Sequence, residues 1–270
     1  AGAPEAYYTL YGWAPAAGSG IGFDALPGPT TEWRVEGDTT TLTEATPVTL
    51  VWDNGQGLMF KRTFAVDDRY MFTLHQSVEN KGVEPVELLP YGLISRFGTP
   101  PTSGFFILFE GPLGVFNGTL EEVSYKDLRE KGVITHKTTG GWIGITDKYW
   151  LSALIPDQQQ PVTARFVFQR AGGIDQFQVD YVGAEQTIPA GGSIDSETRL
   201  FSGAKVVTLI DEYGSRYNIT RFDLAIDWGW FYFLTRPMFY ALNYFYVLLG
   251  NFGRAILLLT LLVKAIFFPL

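Results

Sequence analysis

The chain contains no cysteine and only two histidines among its 270 residues. The lack of cysteine excludes a disulfide framework, a thiolate zinc site and a cysteine nucleophile. The sequence also has no serine in a nucleophile elbow, no HExxH zinc motif and no aspartate-rich calcium loop. We therefore expect no catalytic residues, no metal, no cofactor and no enzymatic activity.

Basic residues are too few in most of the chain to balance the acidic ones. Residues 1–221 contain 26 Asp/Glu and 17 Lys/Arg, a formal charge of −9, whereas residues 222–270 carry +1. Nucleic-acid binding depends on the neutralisation of phosphates by Lys and Arg. A nucleic-acid partner is therefore not expected.

Signals of a natural beginning or end are absent as well. The chain starts at Ala1 without a positively charged segment followed by an apolar one, which a secretory leader would show. It stops at Leu270, next to an apolar run. We expect the sequence to be a piece of a longer protein.

Alternation of apolar and polar residues dominates residues 39–201. In one predicted strand, Leu74 and Val78 share a face and His75 lies on the other. Because strand side chains point alternately to the two faces of a sheet, one face is core and the other solvent. Strands are predicted over Leu58–Val66 and near residues 104–110 and 142–146, among others, and Gly-Gly pairs mark turns between such segments.

Many short strands with almost no helical period indicate a mainly β fold. We predict an antiparallel sandwich of large sheets over residues 1–221. A helix near residues 205–213, with its apolar residues on one side, is predicted to close this domain.

The two histidines and the adjacent carboxylates were the strongest candidates for catalysis. Sugar epimerases on large β-sandwiches use a histidine pair with a carboxylate, but nothing in the spacing of His75 and His136 places them together. The neighbours Asp67 and Asp68 cannot face each other across a cleft, as glycosidase carboxylates do at roughly 5–9.5 Å. We interpret these residues as surface and turn positions. The alternative is a membrane-anchored carbohydrate-binding or epimerase-like periplasmic protein.

Aromatic residues are concentrated where the acidic part ends. Eleven of the 42 aromatic residues fall between Phe222 and Tyr246. Trp and Tyr prefer the headgroup level of a bilayer, where a ring is partly apolar and partly wet. Residues 222–250 are therefore predicted to form an aromatic collar and an interfacial amphipathic helix over Pro237–Leu249. The predicted membrane-interface residues are Trp228, Trp230, Phe231, Tyr232, Phe233, Phe239, Tyr244 and Phe245.

A second, more apolar helix is predicted over residues 251–270. Lys264 lies about 16 Å along this helix from Gly253, at 1.5 Å per residue. That depth is near the middle of a hydrocarbon core of roughly 30 Å. Thr260 lies one helical turn earlier on the same face. We predict the beginning of a transmembrane helix with a polar groove face; the alternative is a lysine that snorkels near a helix end.

The order of the C-terminal motifs resembles that of a known family. FDLAIDWGW is followed by RPMF, by GNFG, and by an apolar helix that ends in a basic residue and Pro-Leu. This order resembles the YidC/Oxa1/Alb3 membrane insertases, in the Gram-negative form, where the periplasmic domain meets the second transmembrane helix. GGWIG at residues 140–144 is similar to that periplasmic domain.

The resemblance implies a mutarotase-like antiparallel β-supersandwich that faces the periplasm from the bacterial inner membrane. It also implies a groove between transmembrane helices, in which Lys264 takes the place of a basic residue that is usually arginine and Thr260 matches a groove threonine. The implied function is insertion and folding of nascent membrane proteins, alone or with the Sec translocon. The implied partners are those nascent proteins, the lipid bilayer, SecYEG and SecDF (above all SecF), and a ribosome only through parts outside this sequence.

Overall fold

The computed structural model describes residues 6–102, 108–229 and 231–268. The chain divides into two compact units, Ala1–Ala225 and Ile226–Leu270. The sequence predicted the boundary after residue 221 instead. The first unit is longer because Phe222–Ala225 forms a 3-10 helix whose Phe222 and Ala225 side chains are buried.

One sheet of the first unit has six strands, all antiparallel to their neighbours. Strands are numbered in chain order. The six are β1 (Tyr7–Pro15), β6 (Val86–Phe97), β9 (Val133–Thr139), β12 (Pro161–Ala171), β13 (Ile174–Gly183) and β14 (Gln186–Ile188). Their order is β1-β6-β13-β12-β9, and β14 also pairs with β6.

The second sheet has nine antiparallel strands. They are β2 (Arg34–Glu36), β3 (Val48–Asp53), β4 (Leu58–Val66), β5 (Met71–Asn80), β7 (Gly111–Phe116), β8 (Thr119–Glu122), β10 (Trp142–Thr146), β11 (Trp150–Ile155) and β15 (Ser193–Ala204). Their order is β2-β3-β4-β5-β15-β11-β10-β7-β8.

The two sheets pack face to face around buried apolar side chains. One cluster combines Ile94 of the six-stranded sheet with Ile143 of the nine-stranded sheet. The hydroxyl of Tyr181 on β13 also donates to Thr198 Oγ1 on β15, over 3.0 Å. The predicted mainly β, antiparallel sandwich is thus confirmed.

Some predicted strand positions differ from the structure. The predicted strand over residues 104–110 lies largely outside the described residues, and 108–110 carry no strand; β7 begins at Gly111. On β5, Leu74 and Val78 are buried as predicted, but Gln76 and Asn80 are buried on the same face.

Two α-helices belong to the first unit. They are α1 (Tyr125–Lys131) and α2 (Val207–Arg216). The closing helix was predicted over residues 205–213, so it begins and ends slightly later than expected. It begins later because Lys205 still donates its backbone N–H to the carbonyl of Tyr149, at the end of the sheet.

Helix α2 is held on the nine-stranded sheet by the turn between β4 and β5. The Tyr213 hydroxyl donates to Asp67 Oδ2 over 2.6 Å. Asp67 Oδ1 accepts the backbone N–H groups of Arg69 and Met71, each over 2.9 Å. Arg69 in turn donates to Glu212 over 2.8 Å. The interpretation of Asp67 as a solvated turn charge was therefore wrong: it organises the turn and anchors the helix.

An aromatic cluster joins the end of the first unit to the same sheet. We call Trp142, Phe201, Tyr213 and Phe222 the aromatic anchor. Phe222 lies edge-on to Trp142 with ring centroids 5.6 Å apart, and edge-on to Phe201 at 5.7 Å. Phe201 also meets Tyr213 at 5.9 Å. All four rings are buried, so the anchor fixes the last residues of the first unit.

Replacement of Phe222 tests the aromatic anchor. We expect Phe222→Ala to lower the free energy of unfolding of the first unit by about 3–5 kcal/mol, because it opens a cavity among three rings. Urea titration of the chain in detergent micelles, followed by near-UV circular dichroism, measures the change. The matched control is Phe23→Ala at an exposed phenylalanine, for which a change within about 0.5 kcal/mol is expected. Equal effects of the two substitutions would contradict the anchor.

Candidate functional site

The second unit is a pair of helices joined by a short turn. They are α3 (Tyr232–Leu249) and α4 (Phe252–Phe267). Gly250 ends α3 in the left-handed region, at φ 64°, and donates its N–H to the Tyr246 carbonyl over 2.8 Å. Asn251 caps α4 by accepting the backbone N–H of Arg254 over 3.1 Å. A left-handed glycine followed by an asparagine cap ends one helix and starts the next.

Helix α3 starts earlier than the sequence predicted. The predicted start was Pro237, whereas the helix begins at Tyr232 and Pro237 lies inside it. Proline lacks a backbone N–H, so Pro237 removes the bond to the carbonyl four residues earlier, and its ring crowds that carbonyl. The turn before it is held separately, because the Thr235 hydroxyl donates to the carbonyls of Trp228 and Phe231 over 2.9 and 3.1 Å.

Helix α4 has 16 residues, which extend about 24 Å at 1.5 Å per residue. Across the part of the chain that the structure describes, no helix is both long and apolar enough to span a membrane.

Two polar residues of α4, Thr260 and Lys264, lie on one exposed face. Ala255 is fully buried, where α4 packs against α3. At about 100° per residue, Thr260 lies about 140° and Lys264 about 180° around the helix from Ala255. Both are exposed, and the Thr260 hydroxyl donates to the Ile256 carbonyl over 2.8 Å. The structure therefore brings Thr260 and Lys264 together on the face of α4 that is turned away from α3.

The predicted interface residues divide into a packed group and an exposed group. Trp228 lies 5.6 Å from Phe239 and 6.4 Å from Tyr232 between ring centroids. These three are half-buried, as is Phe245, whereas Phe231, Phe233 and Tyr244 are exposed. Trp230 lies outside the described residues.

A cation among the aromatic rings was not recognised from the sequence. The Arg236 guanidinium carbon lies 5.6 Å from the Tyr232 ring centroid and 5.8 Å from that of Tyr240. Arg236 also donates a hydrogen bond to the Tyr232 hydroxyl. The spacing of Tyr232, Arg236 and Tyr240 could have predicted this contact, because residues four apart on a helix are neighbours. This arrangement places a positive charge on α3 beside two amphipathic rings.

Most large side chains of the helical pair are apolar and exposed. A contiguous apolar surface of this kind is unusual in a protein that meets only water and marks contact with a membrane or a partner. The exposed apolar residues are Leu234, Val247, Leu248, Phe252, Ile256, Leu257, Leu261, Leu262, Ile266, Phe267 and Phe268.

The two histidines of the first unit lie on different sheets. His75 on β5 is 3.3 Å from Glu197, and His136 on β9 is 3.1 Å from Glu121. The His136 ring also stacks on Phe116 at 4.3 Å. Each histidine therefore has its own carboxylate neighbour, and the two do not form a shared site.

Sequence comparison relates the chain to one family. A family model described as the YidC periplasmic domain matches residues 1–241. The "Membrane protein insertase YidC" of Nitrobacter hamburgensis is 47% identical, over 100% of this chain and 45% of its own length. That of Granulibacter bethesdensis is 48% identical, over 98% of this chain and 46% of its own length. The chain thus spans a little under half the length of the curated relatives it matches.

Comparison with solved structures finds proteins of low sequence identity. A galactose mutarotase related enzyme from Lactobacillus acidophilus covers 65% of this chain and 74% of its own, with 11% identity and a TM-score of 0.46. A galactose mutarotase-like protein from Lactobacillus casei covers 63% and 73%, with 10% identity and a TM-score of 0.42.

Removal of the Asn251 cap tests the start of α4. We expect Asn251→Ala to destabilise the first turn by about 1 kcal/mol, because the Arg254 N–H loses its acceptor. Amide hydrogen exchange of the chain in micelles should then show protection of Arg254 lowered by about fivefold, the factor that corresponds to 1 kcal/mol. Asn251→Asp keeps the acceptor and serves as the control. Unchanged exchange in Asn251→Ala would show that the cap does not hold the turn.

Proposed function

Because the chain belongs to the YidC family, over that family's periplasmic domain, we propose that it is part of an insertase of the bacterial inner membrane. This insertase places nascent membrane proteins into the bilayer and assists their folding. The observation that carries the proposal is the exposed pair Thr260 and Lys264, the polar residues of the stretch that follows Arg254 in helix α4.

The position of Lys264 supports a polar groove within the membrane. A lysine near the middle of a bilayer costs at least about 2.5 kcal/mol on insertion scales, so it faces protein or water and not lipid. Since Lys264 lies on the side of α4 away from α3, the rest of the groove comes from residues outside this sequence. In such a groove a nascent hydrophilic segment crosses a shortened apolar path, and Lys264 attracts its acidic residues. No covalent chemistry is involved.

Helix α3 is proposed to lie in the membrane interface on the periplasmic side. Its exposed Phe233 and Val247 suit the acyl boundary, and Arg236 beside Tyr232 and Tyr240 suits the headgroup level. An interfacial helix combines such an apolar face with basic and aromatic residues at its border. The β-sandwich then faces the periplasm.

The Sec translocon is proposed as a partner on the family resemblance alone. The first unit would contact SecYEG and SecDF, above all SecF, and a ribosome would be reached only through parts outside this sequence. The carbohydrate-binding or epimerase-like alternative is not favoured. An epimerase-like site would need two histidines close together, and His75 and His136 lie on different sheets.

Spin labels test the location of α3. The chain has no cysteine, so single nitroxides can be attached at Phe233→Cys and Val247→Cys. In liposomes we expect oxygen, which concentrates in lipid, to accelerate the spin relaxation of both labels. A water-soluble nickel complex should have little effect on their relaxation. Val83→Cys, at an exposed position of the first unit, is the control and should show the reverse. Equal access of the nickel complex to all three labels would contradict an interfacial helix.

Charge reversal at Lys264 tests the groove. In the full-length protein, we expect Lys264→Glu to lower insertion of substrates with acidic translocated tails by at least about fivefold, since a charge pair at 4 Å in water is worth about 1 kcal/mol. Lys264→Arg should retain insertion. The measurement is protease protection of a radiolabelled substrate in cells depleted of their own insertase. Leu257→Ala, at an exposed apolar position of the same helix, is the control. Full insertion with Lys264→Glu would rule out a role of the charge.

A further inference from the structure

Two of the apolar clusters that the described residues form inside the first unit are separate. One apolar cluster includes Trp13 and is packed by Ile194, and a second is packed by Leu200. Ile194 and Leu200 lie on the same face of β15, with Ser196 and Thr198 between them. Polar side chains therefore separate the two clusters.

A row of polar residues crosses the nine-stranded sheet at this level. Arg62 on β4 lies directly opposite Gln76 on β5, and Gln76 lies directly opposite Ser196 on β15. Side chains at directly opposite positions share a face, with Cβ atoms about 4.5–5.5 Å apart. We call Arg62, Gln76 and Ser196 the polar row.

Gln76 is buried without a hydrogen-bond partner. Its side chain is 1% exposed, and neither Nε2 nor Oε1 bonds to any residue that the structure describes. Leaving a buried polar group unsatisfied is destabilising, and native structures keep few such groups. The Gln76 amide thus offers one donor and one acceptor inside the sandwich.

Arg62 has no acidic partner. Its guanidinium carbon lies 4.5 Å from the centre of the Trp33 ring, and no hydrogen bond or ion pair links it to an acceptor in residues 6–102, 108–229 or 231–268. Burial lowers the pKa of Arg62 to about 10. Desolvation disfavours the cation, so a bound anion would stabilise it.

The opposite sheet contributes another buried donor to the interior. The Tyr11 hydroxyl is buried and has no hydrogen-bond partner within the described ranges. Tyr11 and Tyr181 flank Gly92 so closely that a β-carbon there would lie 2.9 Å from Tyr11 and 2.7 Å from Tyr181. Tyr181 in turn donates to Thr198, two residues along β15 from Ser196 of the polar row. Tyr11 is thus connected to β15 through Tyr181, on the interior side of the six-stranded sheet.

We propose that the polar row binds a small carboxylate that carries a hydrogen-bond donor next to the carboxylate group. Arg62 supplies a planar pair of donors to the carboxylate oxygens, the geometry that guanidinium groups favour. Gln76 Nε2 and the Tyr11 hydroxyl donate to the remaining lone pairs, and Gln76 Oε1 accepts from the adjacent donor of the ligand. Both a hydroxy acid and the C-terminal end of a peptide have this chemistry. The inference does not depend on the proposed insertase function.

Calorimetric titration of the chain in detergent micelles tests the polar row. The probes are L-lactate for a hydroxy acid and N-acetylglycine for a peptide end, with the neutral lactamide as counterpart. We expect saturable binding of at least one acid at millimolar concentration, with lactamide about tenfold weaker because it lacks the charge. The acid with the lower dissociation constant indicates whether the ligand is a hydroxy acid or the C-terminal end of a peptide.

Variants distinguish a loss of ligand contacts at the polar row from a general disturbance of the fold. Arg62→Met and Gln76→Met keep the side-chain volume and should each weaken binding by about tenfold. Lys61→Met, at the neighbouring position on the outer face of β4, is the matched control and should bind like the unchanged chain. The rise of the melting temperature with ligand, which follows from mass action, gives a second measurement on each folded variant. Absence of saturable binding by both acids, or equal binding by Gln76→Met, would overturn the proposal.

Discussion

The burial of Phe222 against Trp142 and Phe201 determines where the β-sandwich ends and the helical pair begins. Tyr213 adds the fourth ring and is itself bonded to Asp67, so the closing helix, the β4–β5 turn and the end of the first unit share one set of contacts. Buried aromatic pairs contribute both apolar area and edge-to-face attraction. Residues 226–231 follow the anchor in the sequence and precede α3.

The helical pair is consistent with a lipid environment. Its backbone groups are hydrogen-bonded within the helices, whereas many of its apolar side chains are exposed. Each helix bonds its own N–H and C=O groups, and the turn at Gly250 and Asn251 supplies the caps. A bilayer accepts such elements and also the exposed leucines and phenylalanines, which water does not. Thr260 and Lys264 are polar residues in the apolar part of α4 that follows Arg254. Their face of the helix is turned away from α3.

Local patterns predicted the strands well, because the alternation of side chains depends on neighbours in sequence. Trp142–Thr146 and Leu58–Val66, for example, have the predicted bounds. Structural features that depend on contacts between residues far apart in the sequence could not be predicted. Phe222 has the composition of the lipid-facing tail, but it is buried by Trp142 and Phe201, which lie far away in the sequence. Pro237 indicated a helix start, yet Thr235 and its carbonyl acceptors extend the helix before it. The face shared by Thr260 and Lys264 followed from helical spacing alone.

The polar row and Lys264 raise the same question, namely why a polar group is kept where an apolar residue would be at least as stable. At the polar row a costly polar group lies among apolar residues, and Lys264 would be costly at the position in the bilayer proposed for it. An apolar replacement of similar volume would often be neutral or stabilising. Stability therefore does not explain why these groups are present. The scaffold tolerates them because the structure around each is fixed by other interactions: two hydrophobic clusters flank Gln76 and Arg62, and backbone hydrogen bonds along α4 hold Lys264. A rigid surrounding that keeps an unsatisfied charge or amide in place is what a binding site requires, since its groups are oriented before the ligand arrives.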